Sequence, residues 1–159
     1  PVQECIEQAL KELKDPQWTV KGVLAQEQEI ILSIRRMFLA LYGLAVKTLG
    51  DELNNNQEIL MKLSELAIRL FAVESAVLRA VKWGGTGWKA DLASAFAQDA
   101  LLESEMIARK ILRDMTAGDV QEQYLRRIRN ETEKYRFEHT MNKKRAIAEH
   151  FLKAEKYVI

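Results

Sequence analysis

The chain has 159 residues, 48% of them hydrophobic and 30% charged, which suits one globular domain with a sizeable core and excludes a disordered chain. Its 24 basic and 23 acidic residues leave a net charge of +1, so no broad positive field supports nucleic-acid binding. One cysteine, Cys5, rules out a disulfide within the chain and fits a reducing, cytoplasmic setting, while seven glycines and two prolines are too few for the turns of an all-β fold.

Residues 2–15 read as a short amphipathic helix, with Val2, Ile6, Ala9, Leu10 and Leu13 on one side. The scattered charges there are not those of a signal peptide, and no run along the chain is apolar enough for a transmembrane span. Pro16, Trp18 and Gly22 break the pattern. Residues 1–22 are therefore expected to be a linker with a short helix, and residues 23–159 a helical domain. The start at Pro1 in place of Met fits a piece of a longer protein.

The second helix is expected over 24–49. Ile30, Ile34, Met37, Leu41 and Leu44 alternate by four and three, the spacing of a bundle seam, and Ile31, Phe38 and Ala45 add a stripe beside it. Gly50 is a natural stop, and Asn56 a candidate cap for the next helix. That third helix, 57–83, carries Ile59, Leu63, Leu66, Leu70, Val73 and Val77 on its seam. Leu60, Ala67, Phe71 and Leu78 widen the apolar zone past half the circumference, so burial on several sides is expected. The segment GGTG at 84–87 follows a helix and lacks the GK[ST] ending of a phosphate loop, so it reads as a helix-breaking turn.

The fourth helix, 89–115, has small residues on its seam: Ala93, Ala97, Ala100, Ser104 and Ala108, beside Phe96, Leu101, Ile107, Ile111 and Leu112. The fifth, 119–134, is polar except for Val120, Tyr124, Leu125 and Ile128, with Asp119 and Glu122 spaced as a capping box. The last, 142–157, presents Ile147, Phe151, Leu152 and Tyr157. Long helices with short connectors pack as antiparallel neighbours. The expected fold is all-α, an up-down bundle of three long helices covered by shorter terminal helices.

Chemistry is sparse. The two histidines, His139 and His150, have Arg136 and Ile147 three residues before them, so the Glu-x-x-His of a di-iron bundle is absent, and a zinc set is lacking too. Cys5 lies between Glu4 and Glu7, which disfavour a thiolate. Ser64, Ser75, Ser94 and Ser104 fall within helices with no histidine in sequence reach. The arginine pairs Arg35-Arg36 and Arg126-Arg127, with Arg129, could bind a dicarboxylate or simply meet helical carboxylates such as those of Glu65–Arg69 and Glu105–Arg109. Glu74 stands near Leu70, Phe71 and Leu78, beside Ser75. A carboxylate there needs a cation, donors or a proton. It is either an acid or base in a pocket or half of an ion pair fixing helix register, with Arg35, Arg36, Arg109 or Arg113 as partner. The basic residues of the last forty positions loosely suit a membrane surface, but interspersed glutamates favour a solvated face.

QEILMKLSELAIRLFAVESAVLRAVKW, LLESEMIARKILRDM and YRFEHTMNKKRAIAEHFLKAEKYVI resemble the C-terminal helical extension of long, very-long-chain-type, FAD-dependent acyl-CoA dehydrogenases and their bacterial relatives. ILSIRRMFLALYGLAVKTLGDEL suits the same extension, so the likeness spans about residues 24–159. It rests on helix texture and a Tyr- and Arg-containing linker before a basic last helix. The resemblance implies a non-catalytic bundle that packs on catalytic domains or at a subunit interface, in a homo-oligomer, with peripheral membrane contact possible in that family. It implies FAD in the parent enzyme of fatty-acid oxidation and none in this chain. The family's base sits in a Tyr/Phe-Glu-Gly-Thr-Asn segment that does not occur here. No catalytic, cofactor or metal residue is thus assigned, and Glu74 and Ser75 stand as structural polar candidates. This chain alone is expected to be inactive. The alternatives are a free-standing helical adaptor and a small helical enzyme with an arginine-lined pocket.

Overall fold

The computed structural model describes Glu4 and residues 22–137 and 140–154. Apart from Glu4, the expected helix over 2–15 lies outside the described residues, as do Cys5, His139 and Tyr157. Among those described, there are five α-helices and no strand. They are α1 (Ala25–Leu49), α2 (Gln57–Lys82), α3 (Gly87–Met115), α4 (Gly118–Thr132) and α5 (Thr140–Ala154), with a 3-10 helix, Gly50–Asn55, between α1 and α2. The long helices α1, α2 and α3 pack on one another; α4 lies on α3 and α1, and α5 on α3.

The four-three spacing of α1 does what it dictates: Ile30, Ile34, Met37, Leu41 and Leu44 are all buried. Gly50 ends the helix at φ 51°, its N–H turned back to the Val46 carbonyl. Ile59, Leu63, Leu66, Val73 and Val77 of α2 enter the same core. The small seam of α3 holds Ala97, Ala100 and Ala108 at no more than 1% exposure, which allows its neighbours to approach closely.

Three expectations need correction. Asn56 precedes α2 without capping it; its Nδ2 donates to the Glu52 carbonyl at 2.7 Å, because the 3-10 turn brings that oxygen into reach. The capping box does not form, since α4 starts at Gly118 after Ala117, and Asp119 already lies inside the first turn. There its charge can still favour the helix dipole. Most consequentially, α2 is not buried on several sides. Phe71 is 73% exposed and Leu78 52%, as α1 and α3 take only one side of the helix.

The turn after α2 is fixed by close approach. Gly85 sits at φ 63°, and a Cβ there would meet the Val23 Cβ at 2.5 Å. Val23 leads into Leu24, whose φ of 57° makes it the one non-glycine residue with positive φ among the described residues. The chain thus tucks the 84–87 turn against the entrance to α1.

Candidate functional site

The outer side of α2 carries the features that most need explanation. Met61, Ile68, Phe71, Leu78 and Trp83 are all more than half exposed along it. Helical spacing places Met61, Ile68 and Phe71 on one stripe, seven and three residues apart. Between Ile68 and Leu78 the sequence has two charged residues, Arg69 and Glu74, and both turn sideways. Glu74 Oε1 accepts from Arg35 Nη2 of α1 at 2.6 Å. Arg69, on the other flank, pairs with Glu103 of α3 and lies 3.6 Å from Glu65. The middle of the strip is left without an unpaired charge.

Glu74 is half-buried, not in the core, and it joins two helices. Ser75 is half-buried and makes no side-chain hydrogen bond among the described residues. The other arginines named for Glu74 go elsewhere: Arg36 to Glu131, Arg109 to Glu105 and Arg113 to Asp114. Arg35 and Arg36 therefore serve different carboxylates.

Two open grooves border the strip. One, of about 770 Å³, runs along α2 past Met61, Ile68 and Ala72 to Phe96 of α3. The other, of about 460 Å³, is walled by Trp83, Trp88, Leu92, Phe96 and Phe151, with Arg79 and Lys89 at its edge. Lys89 Nζ lies 3.6 Å from the centre of the Trp83 ring, a cation–π contact. His150 stacks on Trp88 at 4.9 Å, and Phe151 meets the same ring edge-on.

Two polar clusters hold the bundle together. Ser94 Oγ donates to the buried carboxylate of Glu27 at 2.5 Å and accepts from Lys143 Nζ at 3.1 Å, linking α3 to α1 and α5. Ser33 Oγ donates to Glu131 Oε2 at 2.8 Å and lies 2.7 Å from the Tyr135 hydroxyl, which donates to the Glu29 carbonyl. Burial pushes the Glu131 carboxyl up, but Lys134, Ser33 and Arg36 outweigh it and hold the group below its usual range. Burial is the main cause pushing the Tyr135 hydroxyl up to about 12, with Glu29 and Glu131 adding to it and Ser33 and Arg36 opposing. Sequence reasoning missed Glu27 and Lys143. Glu27 carried a signal, standing three residues before Ile30 and seven before Ile34 on the buried seam; Lys143 carried none.

Among the described residues, no group of three or more His, Cys, Asp or Glu side chains could hold a metal ion, and no helix is long and apolar enough to cross a membrane. An FAD needs a diphosphate cradle and an enclosing slot for its ring. The grooves here are open and apolar, and the glycine turn at 84–87 is packed on Val23, so these residues do not fit a flavin.

Fold and site together define an all-α bundle domain with one outer face left apolar. Residues 33–130 match the family model described as acyl-CoA dehydrogenase, C-terminal domain, and the chain belongs to that family. It is similar to a probable acyl-CoA dehydrogenase of Bacillus subtilis (strain 168), 31% identical over 150 residues that cover 91% of this chain. It also matches the crystal structure of an acyl-CoA dehydrogenase complexed with FAD from Bacillus anthracis, with a TM-score of 0.88 and 29% identity over 100% of this chain. The chain spans 25% of the first relative's length and 28% of the second's.

Proposed function

We propose that this chain serves as the non-catalytic helical domain of a longer, FAD-dependent acyl-CoA dehydrogenase acting in fatty-acid oxidation, and that its α2 face packs on the catalytic part. The observation that carries the reading is the apolar strip on α2, whose Glu74 and Arg69 are drawn aside into pairs with Arg35 and Glu103. A large exposed apolar patch marks an interaction surface. The stretch matched by this chain is about a quarter of each relative's length, and in the solved structure it has the same fold. Flavin, acyl substrate and base then belong to the other three quarters, and the bundle acts by covering and bracing that part or a subunit boundary.

The test is the natural protein itself. An antibody against this domain recovers its antigen from source cells, and the antigen is weighed by mass spectrometry. A flavin-bearing species several times heavier than 18.3 kDa fits the proposal. A species near 18.3 kDa without flavin contradicts it and favours the free-standing adaptor, for which the same apolar face would receive a partner helix.

A further inference from the structure

We infer that the groove at the C-terminal end of α2 seats an apolar segment of the polypeptide's own catalytic part, and that the segment brings a carboxylate against Arg79 and Lys89. The inference rests on the proposed function above and adds the chemistry of the partner. The groove's walls are aromatic and aliphatic, from Trp83, Trp88, Phe96 and Phe151, so its occupant must bury apolar side chains. Its edge is cationic. Arg79 is exposed and makes no ion pair among the described residues. Lys89 is held over Trp83, and an ammonium on an indole face still has N–H donors to offer.

Phe96 lines both grooves, so they form one surface, and its far end has the opposite sign. There Glu58 and Glu65 border Met61, and the two cations beside them, Lys62 and Arg69, are bound to Asp114 and Glu103. An anionic membrane suits cations around an apolar face, but it would be repelled by these carboxylates. A strip that is cationic at one end and anionic at the other instead selects a protein surface of reversed polarity. A segment of the same polypeptide is favoured over a separate protein, because tethering raises its effective concentration into the millimolar range, on the order of 1 mM. The matched stretch is about a quarter of each relative's length, and a polypeptide of that size has roughly three times as much further chain from which such a segment can come.

The experiment is zero-length carbodiimide coupling of the natural polypeptide, with coupled peptides mapped by mass spectrometry. It is run beside hydroxyl-radical labelling of Met61 and Phe71. The expected result is Lys89 joined to an Asp or Glu outside residues 1–159 of the same molecule, with Met61 and Phe71 shielded. In the Lys89→Glu variant, labelling of Phe71 should rise about tenfold as the segment loosens, while the helical circular dichroism stays unchanged. Shielding without that coupling overturns the inference but leaves the proposed function standing. Unshielded Met61 and Phe71 overturn both. Lys89 joined to a second, isotope-labelled copy makes the occupant another copy of this chain. Lys89 protected only by phosphatidylglycerol vesicles makes it a lipid surface; either result overturns the inference.

Discussion

Arg35 Nη2 stands 2.6 Å from Glu74 Oε1, joining α1 to α2 at the edge of an apolar strip. Both side chains remain partly open to water, Arg35 at 27% and Glu74 at 36%. A pair in that setting contributes little to stability, because water screens it. Glu74→Ala and Arg35→Ala should each destabilise the isolated chain by about 0.5–1 kcal/mol. A double-mutant cycle by urea unfolding should give a coupling of no more than about 1 kcal/mol. A much larger coupling would mean that the pair is desolvated in the chain alone.

Gly85 should be intolerant for two separable reasons. Gly85→Ala places a Cβ 2.5 Å from the Val23 Cβ and forces a side chain onto φ 63°. The combined loss should be roughly 2–4 kcal/mol. Adding Val23→Gly removes the clash and should leave only the backbone strain, about 1 kcal/mol. Thermal unfolding of Gly85→Ala, Val23→Gly and the double variant measures the split.

Stability should depend on pH through two groups in one cluster. The Glu131 pKa is lowered in the fold, so its contribution is present above the usual carboxylate value of 4.5 and is lost as pH falls through the folded value. Tyr135 is shifted the other way, from 10.0 to about 12. The unfolded chain loses this proton first, so stability should fall as pH rises from 10.0 to about 12. Denaturant midpoints across pH should flatten in the acid range for Glu131→Gln and in the alkaline range for Tyr135→Phe.

Ala97 is fully buried on the seam of α3. Ala97→Leu must push neighbouring helices apart, and should cost about 1–3 kcal/mol. The exposed Leu102→Ala should cost under about 0.5 kcal/mol in the isolated chain, which separates crowding from a general sensitivity of the helix.

The last helix should open first. Only Ile147 of α5 is buried, and α5 rests on α3 through Lys143–Ser94, Lys144–Asp99 and the Trp88–His150 stack. Few buried apolar contacts mean low local stability. Amide exchange in α5 should outpace that in α2, and more so at high salt, which weakens the exposed Lys144–Asp99 pair.

The seams of α1 to α3 were legible because residues such as Ile30, Leu66 and Leu101 repeat at helical spacing and have one place to go. Phe71 and Leu78 were misread for a physical reason. A helical wheel separates apolar from polar faces, but it cannot tell a face for the chain's own core from one for another body. The clusters were illegible because their members meet across the fold: Ser94 and Glu27 are 67 residues apart, and Ser33 and Tyr135 are 102 apart. The resemblance to the acyl-CoA dehydrogenase extension rested on helix texture, and it holds for the family; texture alone did not show which side of α2 the bundle leaves open.

The central claim is that the α2 face is covered in the natural polypeptide. Hydroxyl-radical labelling of Met61, Phe71 and Trp83 tests it directly, comparing this chain alone with the natural polypeptide. The account predicts ready labelling of all three in the chain alone and protection of about tenfold or more in the natural polypeptide. Equal labelling in both would contradict it.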